Sequence, residues 1–138
     1  MICLGIDFGT TSWGFGAGDT ITMTTQALCA VKADQGSPSW QEIDRLVSQW
    51  MPETIVLGYP LKADGSRFKL TDLVDRAAQE LRQRYPKIAV VLADERLTTV
   101  EARDNLFTDK GFKGLEKGRI DAESARLILH HWFEASQI

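Results

Sequence analysis

Leu4-Gly5-Ile6-Asp7-Phe8-Gly9-Thr10-Thr11 ends a hydrophobic strand on a carboxylate and turns at once through glycine. The run from Ile2 to Ile6 is apolar enough to be buried in a sheet. Asp7 would then stand at the sheet's carboxyl end, where ligand sites of α/β folds gather, and a metal or phosphate could reach it. Gly9, Gly14, Gly16 and Gly18 let the chain double back as a hairpin. An Asp followed by Gly is also ordinary turn chemistry, because the Asp side chain bonds nearby backbone and glycine takes positive φ. These eight residues alone leave both readings open.

Outward from the hairpin, Thr20 to Val31 reads as a third strand and Lys32 to Ser39 as a polar connection. A helix follows, with Ser37 and Ser39 as available caps, Pro38 suited to a first turn, and Ile43, Leu46, Val47 and Trp50 on one face. Pro52 stops it. Thr54 to Leu57 is a short apolar run ending at Gly58, the pattern of a strand buried on both faces. A loop from Tyr59 to Lys69 leads to a second amphipathic helix from about Thr71 to Tyr85, and Ile88 to Leu92 is another buried strand. That strand-helix-strand unit predicts parallel neighbours. Asp94 and Glu95 lie at its carboxyl end. Thr98 and Glu101 have capping-box spacing for a helix to about Phe107, so Glu101 reads as a cap. From Asp121 onward, Ala125, Ile128, Leu129 and Trp132 repeat at helical spacing, and Asp121 shares their stripe. Capping and the helix dipole would also favour an Asp there. His130 and His131, adjacent in sequence, lack helical ligand spacing and suit surface or packing roles.

A hydrophobic fraction of 43%, a charged fraction of 25% and 138 residues describe an ordinary globular chain, read as one domain over residues 1–138. No apolar run approaches the ~20 residues of a membrane span. The cytoplasm is the expected compartment, without a membrane partner. Cys3 and Cys29 have no Cys or His at metal spacing, so both are expected as buried small side chains. A net charge of −3 excludes nucleic-acid binding by a general basic surplus. Any such binding must be local. Lys110 to Arg119 is the basic stretch, with Lys110, Lys113, Lys117 and Arg119 against Glu116 alone; by itself it could equally be a solvated loop.

The predicted order is a three-strand antiparallel meander, then helix, strand, helix, strand and closing helices. Acids fall at the ends of the first and last strands and on a later helix. This is the layout of an α/β, RNase H-like fold, with a five-stranded mixed sheet, the meander plus two parallel strands, flanked by helices. The opening string also resembles the first phosphate motif of the actin and sugar-kinase superfamily, but two domains close over the nucleotide there, and this length is about one. Over essentially the whole chain, the sequence resembles the YqgF/RuvX family, pre-16S rRNA nucleases related to Holliday junction resolvases. The resemblance is carried by four ordered blocks: Asp7-Phe8-Gly9-Thr10 with Gly14; Gly58-Tyr59-Pro60-Leu61 with Asp64-Gly65; Asp94-Glu95-Arg96-Leu97-Thr98-Thr99 with Ala102; and Lys117 with Asp121 and Ala125.

The resemblance implies that Asp7, Glu95 and Asp121 are a catalytic and metal-binding triad, with Asp94 as an auxiliary acid. Physical reasoning supports the trio. Two unit negative charges ~4 Å apart repel by about 4 kcal/mol at an effective dielectric near 20, so acids kept ionised side by side need a cation. Oxygen ligands favour Mg²⁺ or Mn²⁺. In the implied mechanism two ions share Asp7, one lowering the pKa of the attacking water and the other stabilising the departing oxygen. Arg96, Lys110, Lys113, Lys117 and Arg119 become candidate nucleic-acid contacts. The expected activity is metal-dependent hydrolysis of structured RNA, in 5′-end processing of pre-16S rRNA. A DNA junction nuclease and a non-catalytic RNA-binding or transcription-associated module are the alternatives. The chain departs from the relatives in two respects. Thr11 and Ser12 stand where the family often has basic residues, and Ser124 stands where related resolvases carry a further acid or His.

Overall fold

The first strand, β1 (Ile2–Asp7), shows why the sheet has two unlike faces. Leu4 and Ile6 enter one apolar cluster, whereas Cys3, in the other phase of the pleat, enters a second. The computed structural model describes residues 1–94 and 117–136. After β1 come β2 (Ser12–Asp19), β3 (Thr24–Asp34), β4 (Ser37–Pro38), α1 (Trp40–Trp50), β5 (Thr54–Tyr59), α2 (Lys69–Arg84), β6 (Ala89–Asp94) and α3 (Lys117–Ala135). The helix expected from Thr98 to Phe107, with its Glu101 cap, lies outside the described residues.

The sheet runs β4-β3-β2-β1-β5-β6. β1, β2 and β3 form the antiparallel meander, and β5 and β6 extend the sheet in parallel beyond β1. Six strands stand where five were expected. The extra one is β4, which pairs with Ala33 and Asp34 across a two-residue turn at Gln35 (φ 51°) and Gly36 (φ 88°). Positive φ at both central residues matches the right-handed twist of a hairpin, and glycine at the second accepts it without strain. Pro38 therefore belongs to this strand, and Ser39 alone caps α1, accepting a bond from the Glu42 amide.

α1 and α2 cover one face. Ile43, Val74, Ala77, Ala78 and Leu81 pack there on Leu4, Ile6, Trp13 and Phe15. Burying Phe15 alone contributes about 2–3 kcal/mol. α3 covers the other face, with Ile128, Leu129 and Phe133 against Cys3 and Val56. The residues of β2 that look toward α3 are largely glycines. A methyl group on Gly16 would meet the Arg126 amide nitrogen at 3.0 Å, and one on Gly18 the Phe133 ring at 2.9 Å. Gly14, Gly16 and Gly18 are thus not turn residues, as the sequence suggested. They lie inside β2 without positive φ and give α3 room to approach.

Cys3 is buried as expected, but Cys29 is exposed. β3 is nearly an edge strand, partnered on its outer side only at Ala33 and Asp34, and Val31 is its one fully buried residue. Among the described residues, no helix is long and apolar enough to cross a membrane.

Candidate active site

Strand alternation decides which side chains meet at the carboxyl end of the sheet. Asp7 is in phase with Cys3 and Gly5, so it looks toward α3; it is half-buried and stands directly opposite Gly14. Directly opposed residues of an antiparallel pair have Cα atoms about 4.5–5.5 Å apart. The backbone of Asp121 rests on that same glycine. A methyl group at Gly14 would lie 2.0 Å from the Asp121 carbonyl oxygen and 2.9 Å from its Cβ. Two acids from opposite ends of the chain therefore converge on one residue that has no side chain.

The Asp121 carboxylate is held. Ser12, the first residue of β2 and only 9% exposed, donates its hydroxyl to Oδ2 of Asp121. Lys117, one helical turn before Asp121, donates to the same oxygen from 3.1 Å. Among the described residues Oδ1 accepts no hydrogen bond. Both anchors thus fall on one oxygen of a side chain only 15% exposed. Arg119 is exposed in the first turn of α3. Lys117 and Arg119 are therefore helical, because α3 begins before the apolar stripe that starts at Asp121.

The parallel strands bring further residues to this edge. Asp94 ends β6 opposite Tyr59 of β5, and β6 lies two strands from β1, roughly 10 Å across the sheet. Val90 packs toward α1 and α2 whereas Val91 and Ala93 pack toward α3, so the pleat carries exposed Asp94 to the face opposite Asp7. Glu95, Arg96, Lys110 and Lys113 lie outside the described residues. Ser124 is buried one turn beyond Asp121, and its hydroxyl has no partner among the described residues. His130 is exposed and pairs with Glu134 at 2.7 Å, in keeping with a surface role.

The donors at this end suit a hard divalent ion. Asp7 and Asp121 offer carboxylate oxygens, as Mg²⁺ or Mn²⁺ prefer, and among the described residues no sulfur or imidazole joins them in a ligand group. Among the described residues no group of three acids, His or Cys comes close enough to hold a metal alone. Ser12 was missed as a functional residue because its partner is remote in sequence. The available signal was its phase, two residues before Gly14 on the face shared with Asp7.

The family model described as "RuvX: Holliday junction resolvase" matches residues 1–135. A protein of Pectobacterium atrosepticum is 48% identical over 132 residues, covering 96% of this chain and 94% of its own. One of Glaesserella parasuis is 47% identical over 131 residues, covering 95% and 94%. Both carry the name "Putative pre-16S rRNA nuclease". Among solved structures, the Fowlpox virus resolvase with its Holliday junction DNA aligns with a TM-score of 0.62 at 13% identity, covering all of both chains. Thermus thermophilus RuvC in complex with a Holliday junction substrate aligns with a TM-score of 0.57 at 17% identity, covering 98% of this chain and 94% of that one. At these identities the likeness is one of fold, the RNase H-like arrangement of mixed sheet and flanking helices.

Proposed function

The chain belongs to the RuvX family, and from that premise we propose that it is a nuclease hydrolysing phosphodiester bonds of structured RNA in 5′-end maturation of pre-16S rRNA. Asp7, Glu95 and Asp121 are its catalytic acids, Asp94 is left out of the set because it faces the other side of the sheet, and residues 1–138 act as one domain in the cytoplasm. The observation that carries this reading is the seat of Asp121 on Gly14, directly across from Asp7. A pure binding module has no need for two acids seated on either side of one glycine at the carboxyl end of the sheet.

Asp7 and Asp121 would hold Mg²⁺ or Mn²⁺, which when bound supplies Lewis acidity toward the scissile phosphate and neutralises the carboxylates. Ser12 and Lys117 hold Oδ2 of Asp121, which limits the reorganisation its carboxylate needs when substrate arrives. Lys117 holds the same carboxylate from the solvent side, where its ammonium can also meet a phosphate. Arg119, with Arg96, Lys110 and Lys113, adds positive charge that draws a polyanion to an otherwise acidic protein.

A second reading, cleavage of four-way DNA junctions, draws on the family description and the fold of the resolvases. Ser124 disfavours it, because a buried hydroxyl replaces the ionisable side chain of related resolvases. One experiment separates the readings: incubation with a labelled pre-16S leader and a four-way DNA junction, with and without Mn²⁺, beside Asp7→Asn. Mn²⁺-dependent cutting of the RNA by the wild type alone is expected. Junction cutting alone would favour the second reading, and equal activity of the variant would defeat both.

A further inference from the structure

We infer that the groove between the start of β2, the end of β3 and the first turn of α3 is the track for the RNA strand approaching the acids, and that Lys32 is its backbone contact. This rests on the nuclease reading and names where that substrate lies. The groove has a volume of about 460 Å³. Its floor is small, with Ala30 and Gly118, and Ser12 and Lys117 also line it. Those two residues hold the carboxylate of Asp121, so the groove adjoins the seat of that acid.

Lys32 makes the groove more than a gap. It is paired directly opposite Ser12, so both side chains rise from the same face of the sheet. It is exposed, and among the described residues its ammonium pairs with no carboxylate. Lys117 stands across the groove, half committed to Asp121. A chain of net charge −3 thus lines with two lysines a cleft that shares Ser12 and Lys117 with the seat of Asp121. That charge pattern fits a sugar-phosphate backbone, with phosphates toward the lysines and the less polar ribose over the alanine floor. The small side chains at the floor keep it shallow enough for a strand to lie in. The contact carries no base-specific donor or acceptor, so it would position the strand without reading its sequence.

The test is binding of a fluorescent single-stranded RNA in EDTA, followed by anisotropy across a salt series, then cleavage with Mn²⁺. Lys32→Ala should raise Kd about fivefold and reduce the salt slope by about 0.7, while Lys32→Arg retains both. Lys87→Ala, which removes the same charge just before β6 at the opposite edge of the sheet, should change Kd less than twofold. In cleavage, Lys32→Ala should raise KM about fivefold with kcat nearly unchanged. Wild-type binding by Lys32→Ala, or an equal loss with Lys87→Ala, would overturn the groove assignment. RNA cleavage that depends on Asp7 but not on Lys32 would overturn it while leaving the nuclease reading intact. A wild-type protein that neither binds nor cuts RNA would overturn both.

Discussion

Gly14→Ala should cripple the enzyme while leaving it folded. The added methyl would lie 2.0 Å from the Asp121 carbonyl oxygen, whereas ordinary contact begins at 3.4 Å, so α3 must retreat there by about 1.4 Å. The neighbour is helix backbone rather than a side-chain tip, and no rotamer change can relieve the contact. Overpacking of this kind costs typically 1–3 kcal/mol. The helix carries Asp121 away from Asp7 and breaks its bond to Ser12. A misplacement near 1 Å in a catalytic group lowers turnover by about 100-fold. Gly18→Ala is the control, since its methyl meets the tip of the Phe133 ring at 2.9 Å, at the far end of the same helix. It should lose comparable stability and keep at least half of the activity. Urea denaturation gives the first quantity and cleavage of the labelled leader the second. Full activity in Gly14→Ala, or equal inactivation by both, would refute the placement of Asp121 against Asp7.

Ser12→Ala removes a nearly buried donor from Oδ2 of Asp121 and should weaken Mn²⁺ binding about 10-fold, with Ser12→Thr restoring most of it; calorimetric titration reads both. Asp44 accepts bonds from Arg84 and Tyr85, with Arg84 the larger cause, and its pKa falls to about 2. A carboxylate depressed on folding stabilises above its unfolded pKa of ~3.9, and that contribution disappears as pH falls from about 4 through 2. Because the pair is nearly half exposed, Asp44→Asn should cost under about 1 kcal/mol at pH 7 and nothing near pH 2 in urea titrations at each pH. Gly65→Ala puts a side chain into open space at φ 88° and should cost about 1 kcal/mol from backbone strain alone, with cleavage unchanged.

Much of this architecture could be read from local pattern. The apolar runs at Ile2 to Ile6 and Thr54 to Leu57 are strands because strands covered on both faces need little polar alternation. The helical stripe that included Asp121 also held. β4 escaped because two residues make no hydrophobic pattern, and only Gln35-Gly36 marks its turn. The glycines of β2 were misread for a related reason. Glycine signals both turns and close approach, and the alternation of Trp13, Phe15 and Ala17 with Gly14, Gly16 and Gly18 was the clue to the second. Ser12 and Lys32 could not be found locally, since their importance comes from strand register and from a helix more than a hundred residues away. Cys29 was misjudged because strand propensity does not say whether a strand lies at the edge.

The convergence of Asp7 and Asp121 on a shared divalent ion is most directly tested by a double-mutant cycle on Mn²⁺ affinity. Asp7→Asn and Asp121→Asn should each weaken binding at least about 10-fold, and the double variant should lose far less than the product of the two losses, because neither acid can act fully without the other. Affinities unchanged in both single variants, or losses that multiply as though the acids served separate ions, would contradict it.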